Sequence, residues 1–221
     1  MKKLIAAIGH SIVRTPQGSW IPSELYQEIE WPEGMGGRPE RTFIHAPDLD
    51  PNSPSAYLGG GRWVVEALAR LWFLDHSADV AFIGGRPQEM DEKFGREVET
   101  ISEASVMKHR FIQRLRYLNP SHSVAAVDIG GTRNTADDAR EILRLANNYD
   151  QNVIVAMAFR LPRLRLLLGA TSRVTCCDAE QFLPEHFDEF VAMNRSVAYA
   201  TTMDQERHGV MRLHAANHRS E

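Results

Sequence analysis

Three arginines stand where this chain could gather positive charge. Arg86 follows Gly84-Gly85, Arg133 precedes Asn134-Thr135, and Arg160 follows the apolar run from Val153 to Ala158. Each falls at or just after a predicted strand end, where guanidinium forks and helix N-termini together hold phosphate or carboxylate. The competing reading makes them surface arginines paired with Glu89, Asp137 or Asp138. Arg163, on the helix expected after Arg160, adds a further cation, and Asn134 or Thr135 supplies hydrogen bonds at a helix start. Gly9, Gly84 and Gly85 let backbone N–H groups approach a ligand. Ser102-Glu103 is the acid–base candidate, with Glu103 serving as general base or binding a ribose hydroxyl. The plainer account of that pair, a capped helix N-terminus with an acid in its first turn, is favoured by the pattern alone. His10, beside Ser11 just past the first strand, is a second acid or base candidate, although a lone histidine in a turn is more often only solvated or hydrogen-bonded. Asp137 and Asp138 are adjacent in a helix, so their side chains diverge by about 100° and do not easily share a metal ion. Both are expected to be solvated acids, and no metal site is read.

These residues need a scaffold that brings distant segments together. Lys3 to Gly9 reads as a first buried strand, and Asp79 to Ile83 as a short one closed by glycines. Ser123 to Ile129 and Asn152 to Ala158 continue the series, and Arg173 to Cys177 suggests the last strand. Helices are predicted over 62–76, 101–115, 135–149, 161–169 and 187–199 from apolar spacing and start signals. Strands alternating with helices predict an α/β fold, a three-layer sandwich with a mostly parallel sheet of about five strands and helices on both faces. In such sheets the ligand lies outside the carboxyl ends of the strands, which is where Gly9, Gly84-Gly85, Gly130 to Thr135 and Arg160 fall.

The organisation is read as one domain over 1–203, with an insertion or lid at about 16–58 and a polar tail over 204–221 that is expected to fray. The insertion holds Trp20, Trp31, the run Gly34 to Gly37 and prolines from Pro16 to Pro54. With 29 acidic residues against 25 Lys plus Arg, the net charge of −4 argues against general nucleic-acid affinity. The adjacent cysteines, Cys176 and Cys177, would face opposite sides of a strand and make poor disulfide partners. The N-terminal apolar stretch is too short for a signal segment or a membrane span, so a soluble, cytoplasmic protein is expected. The glycine pairs match neither G-x-G-x-x-G nor a P-loop, and G-x-S-x-G is absent.

Taken in order, the pair Gly84-Gly85, S-E-A-x-x-M-K from Ser102 to Lys108, R-N-T-x-x-x-A-R from Arg133 to Arg140, and A-F-x-x-P-R from Ala158 to Arg163 form a combination. It resembles the SanA/ElyC/YdcF-like family, the bacterial domain of unknown function 218, over roughly 3–169 with 20–54 outside it. The resemblance implies a Rossmann-like domain with one pocket formed by Gly9, Gly84, Gly85, Ser102, Glu103, Arg133, Asn134, Thr135, Pro162 and Arg163. Some members are membrane-anchored and linked to envelope or peptidoglycan maintenance, and a soluble branch is associated with binding S-adenosylmethionine. The chain looks more like that branch, which implies S-adenosylmethionine as a ligand. It departs from the family at Asp137-Asp138, where Glu-Asn is common, at Ala156-Met157, where Thr-Ser is common, and at Arg160, where a histidine is common. The departure at Arg160 removes an acid–base group and adds a cation. The expected function is therefore binding of a small anionic or nucleotide-like molecule, with hydrolysis or group transfer on a phosphorylated or nucleotide-linked substrate if turnover occurs. The alternative is a non-catalytic regulatory or interaction protein of envelope-related metabolism that senses a metabolite, for which Trp20 and Trp31 should form an exposed patch.

Overall fold

The structure, a computed structural model, describes residues 1–9, 12–14, 19–30, 39–42, 49–86, 101–121, 124–169 and 173–217. Its central sheet is built from β1 (Lys3–Ile8), β7 (Asp79–Ile83), β8 (Ala126–Ile129), β9 (Gln151–Ala156) and β10 (Val174–Asp178). All neighbours are parallel, in the order β10-β9-β1-β7-β8. The chain lays β7 and β8 to one side of β1, then crosses to lay β9 and β10 on the other. The gap between the ends of β1 and β9 is thus the topological switch point, the place where open α/β sheets form a ligand crevice.

Strand periodicity divides the core into two layers. Ile5 and Ala7 of β1, with Val80 and Phe82 of β7, face α1 (Gly61–Leu74) and α2 (Glu103–Leu118). Leu4, Ala6 and Ile8, with Ala81 and Ile83, face α3 (Thr135–Ala146) and α4 (Leu161–Leu168). Phe82 and Phe111 are fully buried and meet with ring centroids 5.4 Å apart. Each such side chain contributes about 1.5–3 kcal/mol through burial. The three-layer α/β architecture therefore follows from β-rich apolar runs alternating with amphipathic helices.

Several boundaries differ from the sequence reading, each for a local reason. Strand β9 stops at Ala156, and Ala158–Arg160 forms a 3-10 turn that feeds α4, with Pro162 in its first turn. Helix α3 ends at Ala146, where Asn148 and Tyr149 donate to Leu145 and Ala146 in tight turns. The helix expected over 187–199 is two: α5 (Phe187–Met193) and α6 (Val197–Asn217). Between them the Ser196 hydroxyl donates to the Met193 carbonyl at 2.6 Å and accepts from Tyr199 N at 3.2 Å, closing one helix and capping the next.

Residues 204–217, expected to fray, instead continue α6. The helix is tied to the insertion at its first turns, where Ala198 N donates to the Pro51 carbonyl at 2.9 Å and Leu58 N donates to Thr202 Oγ1 at 2.9 Å. The described part of the insertion holds strands and turns: β3 (Trp20–Pro22) pairs with β2 (Ile12–Arg14) just before it, and β4 (Leu25–Glu30) lies between β5 (Pro39–Thr42) and β6 (Ala56–Leu58), all antiparallel. Trp20 packs with Ile12, Val13 and Val106 of α2. Trp31 lies outside the described residues. No helix among the described residues is long and apolar enough to cross a membrane.

Candidate functional site

Two glycine contacts shape the strand-end crevice. A Cβ on Gly84 would sit 2.6 Å from the Gly9 Cα, and one on Gly9 would sit 2.8 Å from the Gly84 Cα, so the two backbones touch where side chains would otherwise stand. A Cβ on Gly85 would lie 1.4 Å from the Thr132 carbonyl oxygen, which locks the end of β7 against the loop after β8. Glu103 reaches over this floor: its Oε2 lies 2.2 Å from where a Gly9 Cβ would be.

The start of α2 is already satisfied by protein. Glu103 N donates to the Gly85 carbonyl at 2.9 Å and Ala104 N to the Gly84 carbonyl at 3.2 Å. Ser102 is a buried N-cap, accepting from Ser105 N at 3.1 Å while Ser105 Oγ accepts from Ser102 N at 2.9 Å. The Ser102 hydroxyl thus serves the helix, and what α2 presents to the crevice is the Glu103 carboxylate.

The start of α3 is likewise capped. Asn134 accepts from Ala136 N at 2.9 Å and Asp137 N at 3.0 Å, and Thr135 is the first helical residue. Asp137 accepts from Arg133 N at 3.1 Å and pairs with Arg140, while the Arg133 side chain is exposed. Arg86 is half-buried just beyond Gly85. His10, Ser11 and Glu89 lie outside the described residues.

Arg160 is the residue that joins the two sides of the switch point. From the 3-10 turn after β9 it donates through Nη1 to the Gly9 carbonyl at 2.9 Å. Arg163, in the first turn of α4, lies against Gly209 of α6, and its Nη1 is 3.7 Å from Glu206 Oε2. Part of its charge is thereby drawn toward α6.

Asp138 overturns one expectation. It is 6% exposed, not a solvated acid, because it shares the inward face of α3 with Ile142 and Ala146. Burial pushes its carboxyl up from 3.8 to about 6; the Thr132 hydroxyl and the charges of Arg160 and Arg163 oppose that shift, and Asp137 adds to it. Thr132, 5% exposed, stands beside Asp138, yet its hydroxyl falls short of a hydrogen bond there. Asp138 is the candidate that the sequence reading set aside, and Thr132 lies in the strand end Gly130 to Thr135 without having been singled out. The signal for Asp138 was present, since positions 138, 142 and 146 recur at helical spacing.

Among the described residues, no group of three or more His, Cys, Asp or Glu is placed to hold a metal ion. The arrangement can hold an anion against Arg160 and move a proton at Glu103 or Asp138. No protein-family model, curated protein or solved structure matches this chain.

Proposed function

We propose that the protein binds a small anionic or nucleotide-like ligand at the switch point between β1 and β9. The observation that carries this reading is the placement of Arg160, whose guanidinium spans the crevice from β9 to the Gly9 carbonyl. A cation at that point, at the carboxyl ends of the strands where Gly9 and Gly84 pack together, suits an oxyanion. If the ligand is turned over, Glu103 over Gly9 is the base, and the reaction is hydrolysis or group transfer at a phosphorylated or nucleotide-linked centre. S-adenosylmethionine, the ligand implied by the family resemblance, belongs among the probes.

The test is a thermal-shift comparison of the native protein and Arg160→Ala with nucleotides, S-adenosylmethionine and sugar phosphates. A ligand at a hundred times its Kd stabilises by about 2.7 kcal/mol, on the order of 5–10 °C for a domain of this size. The native protein should show such a shift with at least one probe and the variant should lose it. No shift with any probe, or an unchanged shift in Arg160→Ala, removes the assignment.

A further inference from the structure

A hollow apart from the strand-end crevice lies between α1, α2 and the 3-10 turn Pro184–His186 that precedes α5. Its volume is about 200 Å³, and four arginines line it. Arg62 and Arg70 stand eight residues apart on α1 with Glu66 midway, and Arg110 and Arg114 stand four apart on α2, so each set shares one helix face. A ligand can reach them: the side chains of Arg62, Arg70 and Arg114 are 58%, 34% and 30% exposed, and Arg110 is exposed. The most buried lining residues are Trp63 and Val65, which supply an apolar wall.

Three of the four guanidiniums already have a carboxylate. Arg62 pairs with Glu24, and Arg114 pairs with Glu66 at 2.6 Å. Arg70 grips both oxygens of Glu185 and donates to the Phe182 carbonyl at 3.1 Å. His186 is flanked by Glu185 and Glu189. Arg110 forms no ion pair among the described residues, and its one contact, at 3.5 Å, is with Gln113 of its own helix. The hollow thus offers one guanidinium that no carboxylate answers. Glu185 on Arg70 displays the two-oxygen geometry that suits such a group.

We propose that this hollow binds a small organic carboxylate, with its oxygens on Arg110 and its apolar body against Trp63 and Val65. The volume sets the size, since a cavity of about 150 Å³ admits benzene, so an acid with one ring or a short chain fits. The charge sets the class. A monoanion matches the single unanswered guanidinium, whereas a phosphate dianion brings a second negative charge toward Glu66 and Glu185. Arg160 and the crevice take no part.

The experiment is calorimetric titration with sodium benzoate and with benzamide, its uncharged analogue, of the native protein, Arg110→Ala and Arg160→Ala. Arg110 is exposed and has no partner on another element among the described residues, so its variant should fold as the native protein does. Benzoate should bind the native protein and Arg160→Ala alike. It should bind Arg110→Ala about tenfold or more weakly, the scale of a lost charge-assisted hydrogen bond, and benzamide should bind the native protein more weakly than benzoate by a similar factor. No benzoate binding, binding that survives Arg110→Ala unchanged, or equal binding of benzamide overturns the proposal. Benzoate binding that is lost in Arg160→Ala but kept in Arg110→Ala also overturns it, and places the carboxylate in the crevice instead.

Discussion

Helix α4 borders two regions of opposite character. Along its length, between β10 and α6, runs a groove of about 620 Å³ lined by Pro162, Leu166, Val174, Cys176 and Val210, with Arg165 at its edge. At its N-terminal end lies the strand-end crevice, where Arg160, Thr132 and Asp138 hold buried polar atoms without partners among the described residues. In the groove Arg165 reaches the Cys176 carbonyl at 3.5 Å, and burial raises the Cys176 thiol, which keeps it protonated. Volume therefore points to one region and unused hydrogen-bonding capacity to the other. The second is the better guide, because an apolar groove is stable as it stands, whereas buried unpaired groups cost about 1–3 kcal/mol each until something completes them.

The contrast breaks most visibly at Gly85. Gly85→Ala drives a Cβ to within 1.4 Å of the Thr132 carbonyl, and the variant should lose upwards of about 3 kcal/mol or fail to fold in urea denaturation. Gly131, the residue just before Thr132 in the same loop, has open space where a Cβ would go, so Gly131→Ala should stay within about 0.5 kcal/mol. Equal tolerance of the two changes would mean that the crevice floor is not closed at Gly85.

Asp138 comes next. Its carboxyl is raised from 3.8 to about 6 in the folded protein, so the folded state holds more protons between those values and stability falls as pH rises through that window. Removing the buried charge should reverse the loss. Asp138→Asn is expected to stabilise by about 1–3 kcal/mol at pH 7.5 and to differ little near pH 4. A variant less stable than the native protein at pH 7.5 would show that the carboxylate is well paired after all.

Ser102→Ala removes an N-cap and should cost about 1 kcal/mol in urea denaturation. The smallest effect belongs to the groove: Arg165→Ala should change stability by less than about 0.5 kcal/mol and leave any ligand-induced thermal shift in place, whereas Arg160→Ala abolishes it. The reverse outcome would move the binding site into the groove.

Much of this was legible from residue order. Continuous apolar runs such as Val153 to Ala156 declared strands buried on both faces; the glycines at their ends read as openings for a ligand, whereas Gly9 packs against Gly84 and Gly85 against Thr132. The crevice members Gly9, Gly84, Gly85 and Arg160 followed from that placement alone. What the sequence concealed was the state of each polar group. Ser102 and Asn134 read equally as ligand-binding or capping residues, and only their distances to Ser105 N and Ala136 N show them committed to helix ends. Arg163 read as a crevice cation, but Glu206 comes from a segment whose polar composition suggested a fraying tail. Asp138 read as a solvated acid because local pattern favours acids in a first turn, and the pull of Ile142 and Ala146 into the core overrode it.

The account turns on where an oxyanion goes. A crystal structure of the protein grown or soaked with inorganic phosphate should place it at the strand ends, within hydrogen-bond reach of Arg160. Phosphate found only in the groove beside Arg165, or only on the outer surface with Arg160 left untouched, would contradict it.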